Sequence, residues 1–111
     1  MSPRLNRKLV LEARSHVDDG AGGSTTSWIA LGTLWGEIAA RSGGPGSEGG
    51  QQIHAQRVRI TVRGAPVGAT NRPVPGERFL CDGHVYLIDA VSEADAGGQY
   101  LTCLVHEELA P

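Results

Sequence analysis

Apolar and polar residues alternate in short runs along this chain, and the runs have a period of two. The clearest is Arg57-Val58-Arg59-Ile60-Thr61-Val62-Arg63, where Val58, Ile60 and Val62 fall on one side and the arginines and Thr61 on the other. This predicts a strand over 54–63 with one apolar face. Leu34-Trp35-Gly36-Glu37-Ile38 alternates in the same way inside a strand region predicted over 28–39, with Leu34, Gly36 and Ile38 opposed to Thr33, Trp35 and Glu37. Gly32 and Gly36 mark a bend, a bulge or a close backbone approach in that strand. Residues 8–14 read as a first strand, the alternative being a helix too short to stand alone. Phe79 to Ile88 reads as a hairpin within 78–89, because Asp82-Gly83 suits a two-residue turn in which both central residues need positive φ. Gly97-Gly98 supplies a further turn, between strands at 89–91 and 99–105.

The segments between are equally informative. Asp18 to Ser24 is a loop by composition. Six of the nine residues from Ser42 to Gly50 are glycine or proline, so 41–52 is predicted to be a long flexible loop. Glu48 to Ala55 is compatible with one short helix, against which Gly49-Gly50 argues. Ala65 to Pro75 carries three prolines and belongs at an edge or in a connection. Residues 1–8 and 107–111 read as an N-terminal and a C-terminal tail. The predicted fold is all-β: a single domain over 1–111, a small antiparallel barrel of five to six strands in meander order with one long glycine-rich loop.

Composition agrees. Sixteen glycines and six prolines suit strands and turns rather than helices, and one Phe, two Tyr and two Trp leave the core to aliphatic residues. A net charge of −2 argues against a dedicated nucleic-acid binder. Cys81 and Cys103 sit in apolar strands outside any CxxC pattern and read as reduced, buried thiols. No apolar run is long enough for a signal peptide or a membrane span, so synthesis in the cytoplasm and no membrane partner are expected.

Candidate chemistry is sparse. His16, His54, His84 and His106 have no metal-ligand spacing, although His84 and His106 can meet across strands as a surface pair. Asp18-Asp19-Gly20 lacks the calcium-loop pattern. Gly44-x-Gly46-x-x-Gly49 matches a phosphate-loop motif by letter only, since no strand–loop–helix unit surrounds it. No catalytic, cofactor or metal residue is assigned, and an enzyme is the least favoured class. Two features suit contacts instead. Arg57, Arg59 and Arg63 share a face on which adjacent positions lie about 7 Å apart, fit for a solvated surface, a subunit interface or a phosphate backbone. Trp35 faces away from Leu34 and Ile38 and is a candidate partner contact, and Trp28 is a core or interface anchor.

Read in order, the Leu9-Val10-Leu11 strand, the Asp19–Gly23 loop, Trp28, Leu34-Trp35-Gly36-Glu37-Ile38, Ile60–Arg63, Asp82–Ile88 and Leu101-Thr102-Cys103 are similar to the head–tail joining proteins of tailed bacteriophages. These are also called head-closure or stopper proteins. The resemblance covers about residues 5–106 and points to the members found in phage-derived gene transfer agents. It implies a structural protein that forms a ring of copies, usually six, at the particle neck. Its implied partners are itself, a portal or adaptor protein on the head side, and a tail terminator or tail protein on the other. It further implies a loop in the channel that meets DNA without sequence specificity and helps retain it. The loop position corresponds here to Arg41, Ser42, Gly43, Gly44, Gly46, Ser47, Glu48, Gly49, Gly50 and Gln51. Interface candidates are Trp35, Arg57, Arg59 and Arg63. The alternatives are a tail-terminator-type ring protein and a small nucleic-acid-binding β-barrel.

Overall fold

The computed structural model describes residues 2–40 and 57–108. Six strands are present: β1 (Arg7–Asp18), β2 (Ser24–Ala40), β3 (Arg57–Arg63), β4 (Arg78–Cys81), β5 (His84–Glu93) and β6 (Tyr100–Glu108). All neighbours are antiparallel, and the sheet closes into a barrel in the order β1-β2-β3-β6-β5-β4. The predicted strands are therefore in place, several of them longer than expected. β1 takes in Arg7 and Lys8 from the expected N-terminal tail, and β6 takes in Glu107 and Glu108 from the expected C-terminal one. The glycine-rich segment, and the short helix considered at Glu48–Ala55, lie outside the described residues.

The expected meander order is corrected. β3 pairs with β6 rather than β4, and β4 closes on β1. The connection over 64–77 explains the change. It is too long for a hairpin, and a chain of that length can cross a barrel end. It is fixed by its own bonds: the Arg72 guanidinium donates to the Ala65 carbonyl at 2.8 Å, and Gly76 N–H and Ile88 N–H tie it to β5. Each three-strand half keeps its local order, and both closures remain antiparallel.

The interior is built from the alternating apolar positions. Leu9, Leu11, Val58, Ile60, Val62, Phe79, Cys81, Tyr86, Ile88, Leu101, Cys103 and Val105 form one buried cluster, with Leu31, Leu34, Ile38 and Val91 packed against it. No polar or charged residue is buried among the described residues. Two bulges keep apolar side chains in phase. On β2, Leu31 is the extra residue opposite Leu11 and Glu12, beside Gly32 at φ +154°. On β5, Asp89 is extra, so Tyr86, Ile88 and then Val91 point inward. The β4–β5 turn has Asp82 and Gly83 at φ +51° and +83°, as the Asp-Gly pair predicts. At the β5–β6 turn, Asp95 accepts the Gln99 and Tyr100 N–H groups and Gly98 has φ +70°.

Cys81 and Cys103 are free and buried, as read from the sequence. Burial pushes the Cys103 thiol up to about 12 from its ordinary 9.0. The folded state thus holds this proton more tightly than the unfolded chain. Its contribution is complete below about pH 9 and is lost as pH rises toward 12. Thermal melts from about pH 8 to about pH 11 are expected to fall more steeply for the wild type than for Cys103→Ala. Equal slopes would mean that the thiol does not report on folding.

Candidate functional site

The barrel has two outer walls. On the wall formed by β2, β3 and β6, the predicted arginine face is confirmed as a placement. Arg57, Arg59 and Arg63 are exposed, whereas Val58, Ile60 and Val62 between them are buried. None of the three arginines makes an ion pair with a described carboxylate. The Arg63 guanidinium lies 5.7 Å from the centre of the Tyr100 ring, its cross-strand partner. Arg59 stands between Ala39 and Leu104, and Arg57 lies opposite His106.

Trp35 is on the same wall and 53% exposed, so it faces out as expected. Because Gly36 pairs with Val62, Trp35 stands at the level of Arg63. The structure thus brings all four interface candidates onto one outer surface. The channel-loop candidates Arg41, Ser42, Gly43, Gly44, Gly46, Ser47, Glu48, Gly49, Gly50 and Gln51 lie outside the described residues.

The N-terminal segment crosses this wall. Arg4 N–H donates to Glu37 Oε2 at 3.1 Å. Between the segment and the β5–β6 turn lies an open groove of about 540 Å³, lined in part by Pro3, Glu37, Thr61, Asp95 and Tyr100. Its carboxylates are engaged by backbone N–H groups, so it offers a shaped surface rather than a reactive one.

The opposite wall holds a cluster that sequence reasoning did not assemble. Glu12 and Arg78 are cross-strand partners whose Oε1 and Nε are 2.7 Å apart, both largely shielded from water. The Arg78 guanidinium also lies 4.1 Å from the Trp28 ring, and Arg14 approaches that ring at 5.3 Å. Trp28 is therefore half-buried under two guanidinium groups, outside the core. No local signal joins positions 12, 14, 28 and 78; the β1–β2 register and the β4–β1 closure together do.

The histidines are corrected in detail. His84 and His106 do not pair with each other. His84 bonds Glu107, and His106 Nδ1 lies 2.8 Å from Asp89 Oδ2. Among the described residues no group of His, Cys, Asp or Glu has the geometry to hold a metal ion.

Residues 1–108 match the model of the phage head completion protein family. The chain belongs to that family. Two solved structures share its fold. One is a chain of the virion of a native gene transfer agent particle, 44% identical, covering 98% of this chain and 100% of the other with a TM-score of 0.77. The second is protein SF1141 of Shigella flexneri 2a, solved in solution. It is 20% identical and covers 98% of this chain and 97% of the other, with a TM-score of 0.70, a likeness of fold alone. No curated protein matches the chain. The head completion family and the virion relative agree with the resemblance drawn from the strand motifs, and both describe a structural component of a particle.

Proposed function

We propose that this head completion protein is the head-closure subunit of a gene-transfer-agent-like particle. In this reading it forms a ring at the neck, and its partners are its own copies, the portal or adaptor complex above and a tail protein below. The observation that carries the reading is the match of the whole barrel, at 44% identity, to a chain of a gene transfer agent virion. The barrel suits the task physically. The sheet is closed where the six strands meet, and a ring multiplies modest contacts by symmetry.

The exposed surface of Trp35, Arg57, Arg59 and Arg63 is the proposed contact face of the neck. A half-exposed tryptophan beside arginines without described acid partners combines the two residue types favoured in interface centres. Trp35→Ala is expected to change fold stability by less than about 1 kcal/mol while sharply lowering incorporation into particles. Chemical melts and quantitative immunoblots of purified particles measure the two effects. A large loss of stability with normal incorporation would place Trp35 in the fold rather than the interface.

DNA retention is assigned to the glycine-rich segment over 41–52. Deleting Gly43–Gly50 is expected to leave a folded barrel but to give particles that lose their DNA. A deleted protein that cannot fold, or particles that keep their DNA, would remove this assignment.

Electron microscopy after deletion of the gene tests the proposal as a whole. Separate tails and tailless heads, with the heads empty or leaking, are expected. Normally joined particles would overturn it.

A further inference from the structure

β1 and β2 pair from Arg7–Gly36 to Asp18–Ser24, but β4 covers the outer edge of β1 only from Val10 to Glu12, and β3 covers that of β2 only from Gly36 to Ala40. Beyond Glu12 the two strands therefore run on as an arm, and no other described strand pairs with either edge. From Ala13 to Asp18 this is roughly 20 Å of ribbon. It contributes to a molecule 52 Å in its longest dimension.

The arm has two unlike faces. Arg14, His16, Asp18, Ser24, Thr26 and Trp28 lie on one. Ala13, Ser15, Val17, Thr25, Ser27 and Ile29 lie on the other, which carries no charge. In β1 this second face is in phase with Leu9 and Leu11, so it is the core face carried past the end of the barrel, where no described strand faces it. Val17 and Ile29 are accordingly 50% and 52% exposed. A two-stranded ribbon is marginal in water without a cover for its apolar face.

A matching surface exists on the outside of the same barrel. Val10 is cross-strand partner to Leu80, and Leu80 to Val85, with Leu87 next along β5. These four side chains point away from the core and are only partly shielded. Around this patch stand Glu12 and Arg78, paired at 2.7 Å, with Lys8 beside Val10 on β1 and Glu108 opposite Val85, both exposed. An apolar centre with a polar, solvent-reached rim is the composition of a contact surface.

We propose that, in the assembled particle, the uncharged face of this arm packs on the Val10, Leu80, Val85 and Leu87 wall of a second copy. The arm cannot reach its own wall. β1 is continuous from Arg7 to Asp18, and Val10 points to the opposite side from Ala13 and Val17. One copy thus offers a finger and a seat on different surfaces, and such a contact is head-to-tail, the type from which rings are built when the rotation between copies closes. The proposal rests on the assembly reading above, and adds which surfaces meet.

The test is a photoreactive benzophenone side chain placed at position 17, and separately at 29, in protein incorporated into particles. After irradiation, a cross-linked dimer whose joined peptides come from this chain, at 78–88 or around Val10, is expected. Cross-links to a different particle protein, or none in particles that contain the variant, would overturn the proposal while leaving the neck function intact. Absence of even the wild-type protein from particles would overturn both. As a second measurement, Val17→Lys with Ile29→Lys is expected to lower incorporation at least about tenfold, because lysines must be desolvated in the contact. Its melting temperature should match the wild type, since both sites are half exposed. Wild-type incorporation of this variant would also overturn the proposal.

Discussion

Gly36→Ala is expected to destabilise the barrel by about 3 kcal/mol, the upper part of the usual range for overpacking a core. A Cβ at position 36 would lie 2.7 Å from Leu9 Cδ1, 2.9 Å from the Thr61 carbonyl oxygen and 3.1 Å from Val62 Cγ1. The three neighbours belong to β1 and β3, on either side of β2, so the methyl group has no direction of escape. The Leu9 side chain can rotate, but the Thr61 oxygen is main chain in a paired strand. Relief therefore requires β2 and β3 to move apart where they form the arginine and tryptophan surface. For a domain of this size the melting temperature should drop by roughly 12 °C. Gly97→Ala is the control. Its added Cβ meets nothing closer than 3.4 Å, and its effect should stay within about 0.5 kcal/mol. A Gly36→Ala protein that melts with the wild type would show that β2 and β3 separate freely, and would discredit the packing described at this seam.

Phe79→Ala is expected to cost about 4 kcal/mol. Phe79 is the largest fully buried side chain and lies in the shortest strand, β4, of four residues. It pairs with Leu11 on one side and Tyr86 on the other, so it packs where the sheet closes. Only Val10–Glu12 and Leu80–Arg78 make that closure, and few main-chain bonds hold it when the ring is lost. Against a total stability of about 5–15 kcal/mol, the variant should be partly unfolded at 37 °C. Hydrogen exchange offers a sharper reading than the melt. Protection should fall first along β1 and β4, ahead of the β3–β6 ladder. Phe79→Leu retains most of the apolar volume and should cost about 1 kcal/mol. If Phe79→Ala loses protection evenly in all strands, the seam is not a separate weak point.

These two positions also show how far the sequence could be read. Gly36 stood out as a glycine inside an alternating strand, which signals a bulge or a close approach, and the structure makes it the second and Gly32 the first. Phe79 was recognisable as a member of a hairpin, but its place in the core was not read. That its hairpin would close on β1 was not recognisable.

The candidate surface divides in the same way. Alternation along β3 was enough to place Arg57, Arg59 and Arg63 outward together, and alternation along β2 to turn Trp35 away from Leu34. The level of Trp35 beside Arg63 came from the β2–β3 register. Trp28 was read as an anchor, yet its partners Arg78 and Arg14 come from two different strands. The bulge at Asp89 was missed because a single inserted residue leaves no mark in a short apolar run. It both shifts Val91 inward and positions the carboxylate for His106.

What the sequence determined alone is the set of strands, the inward and outward faces of β2 and β3, and the Asp82-Gly83 turn. Each depends on side chains a few residues apart, whose sizes and polarities are written directly in the chain. Only the tertiary structure decided the order β1-β2-β3-β6-β5-β4, the Glu12–Arg78–Trp28 cluster, and the projection of the β1–β2 arm. Those depend on which distant strands share a ladder. Main-chain N–H and C=O groups are the same in every strand, so the ladder bonds carry no label of their partner. The choice falls to connection lengths and to the joint packing of side chains from all six strands, and that is a property of the closed barrel as a whole.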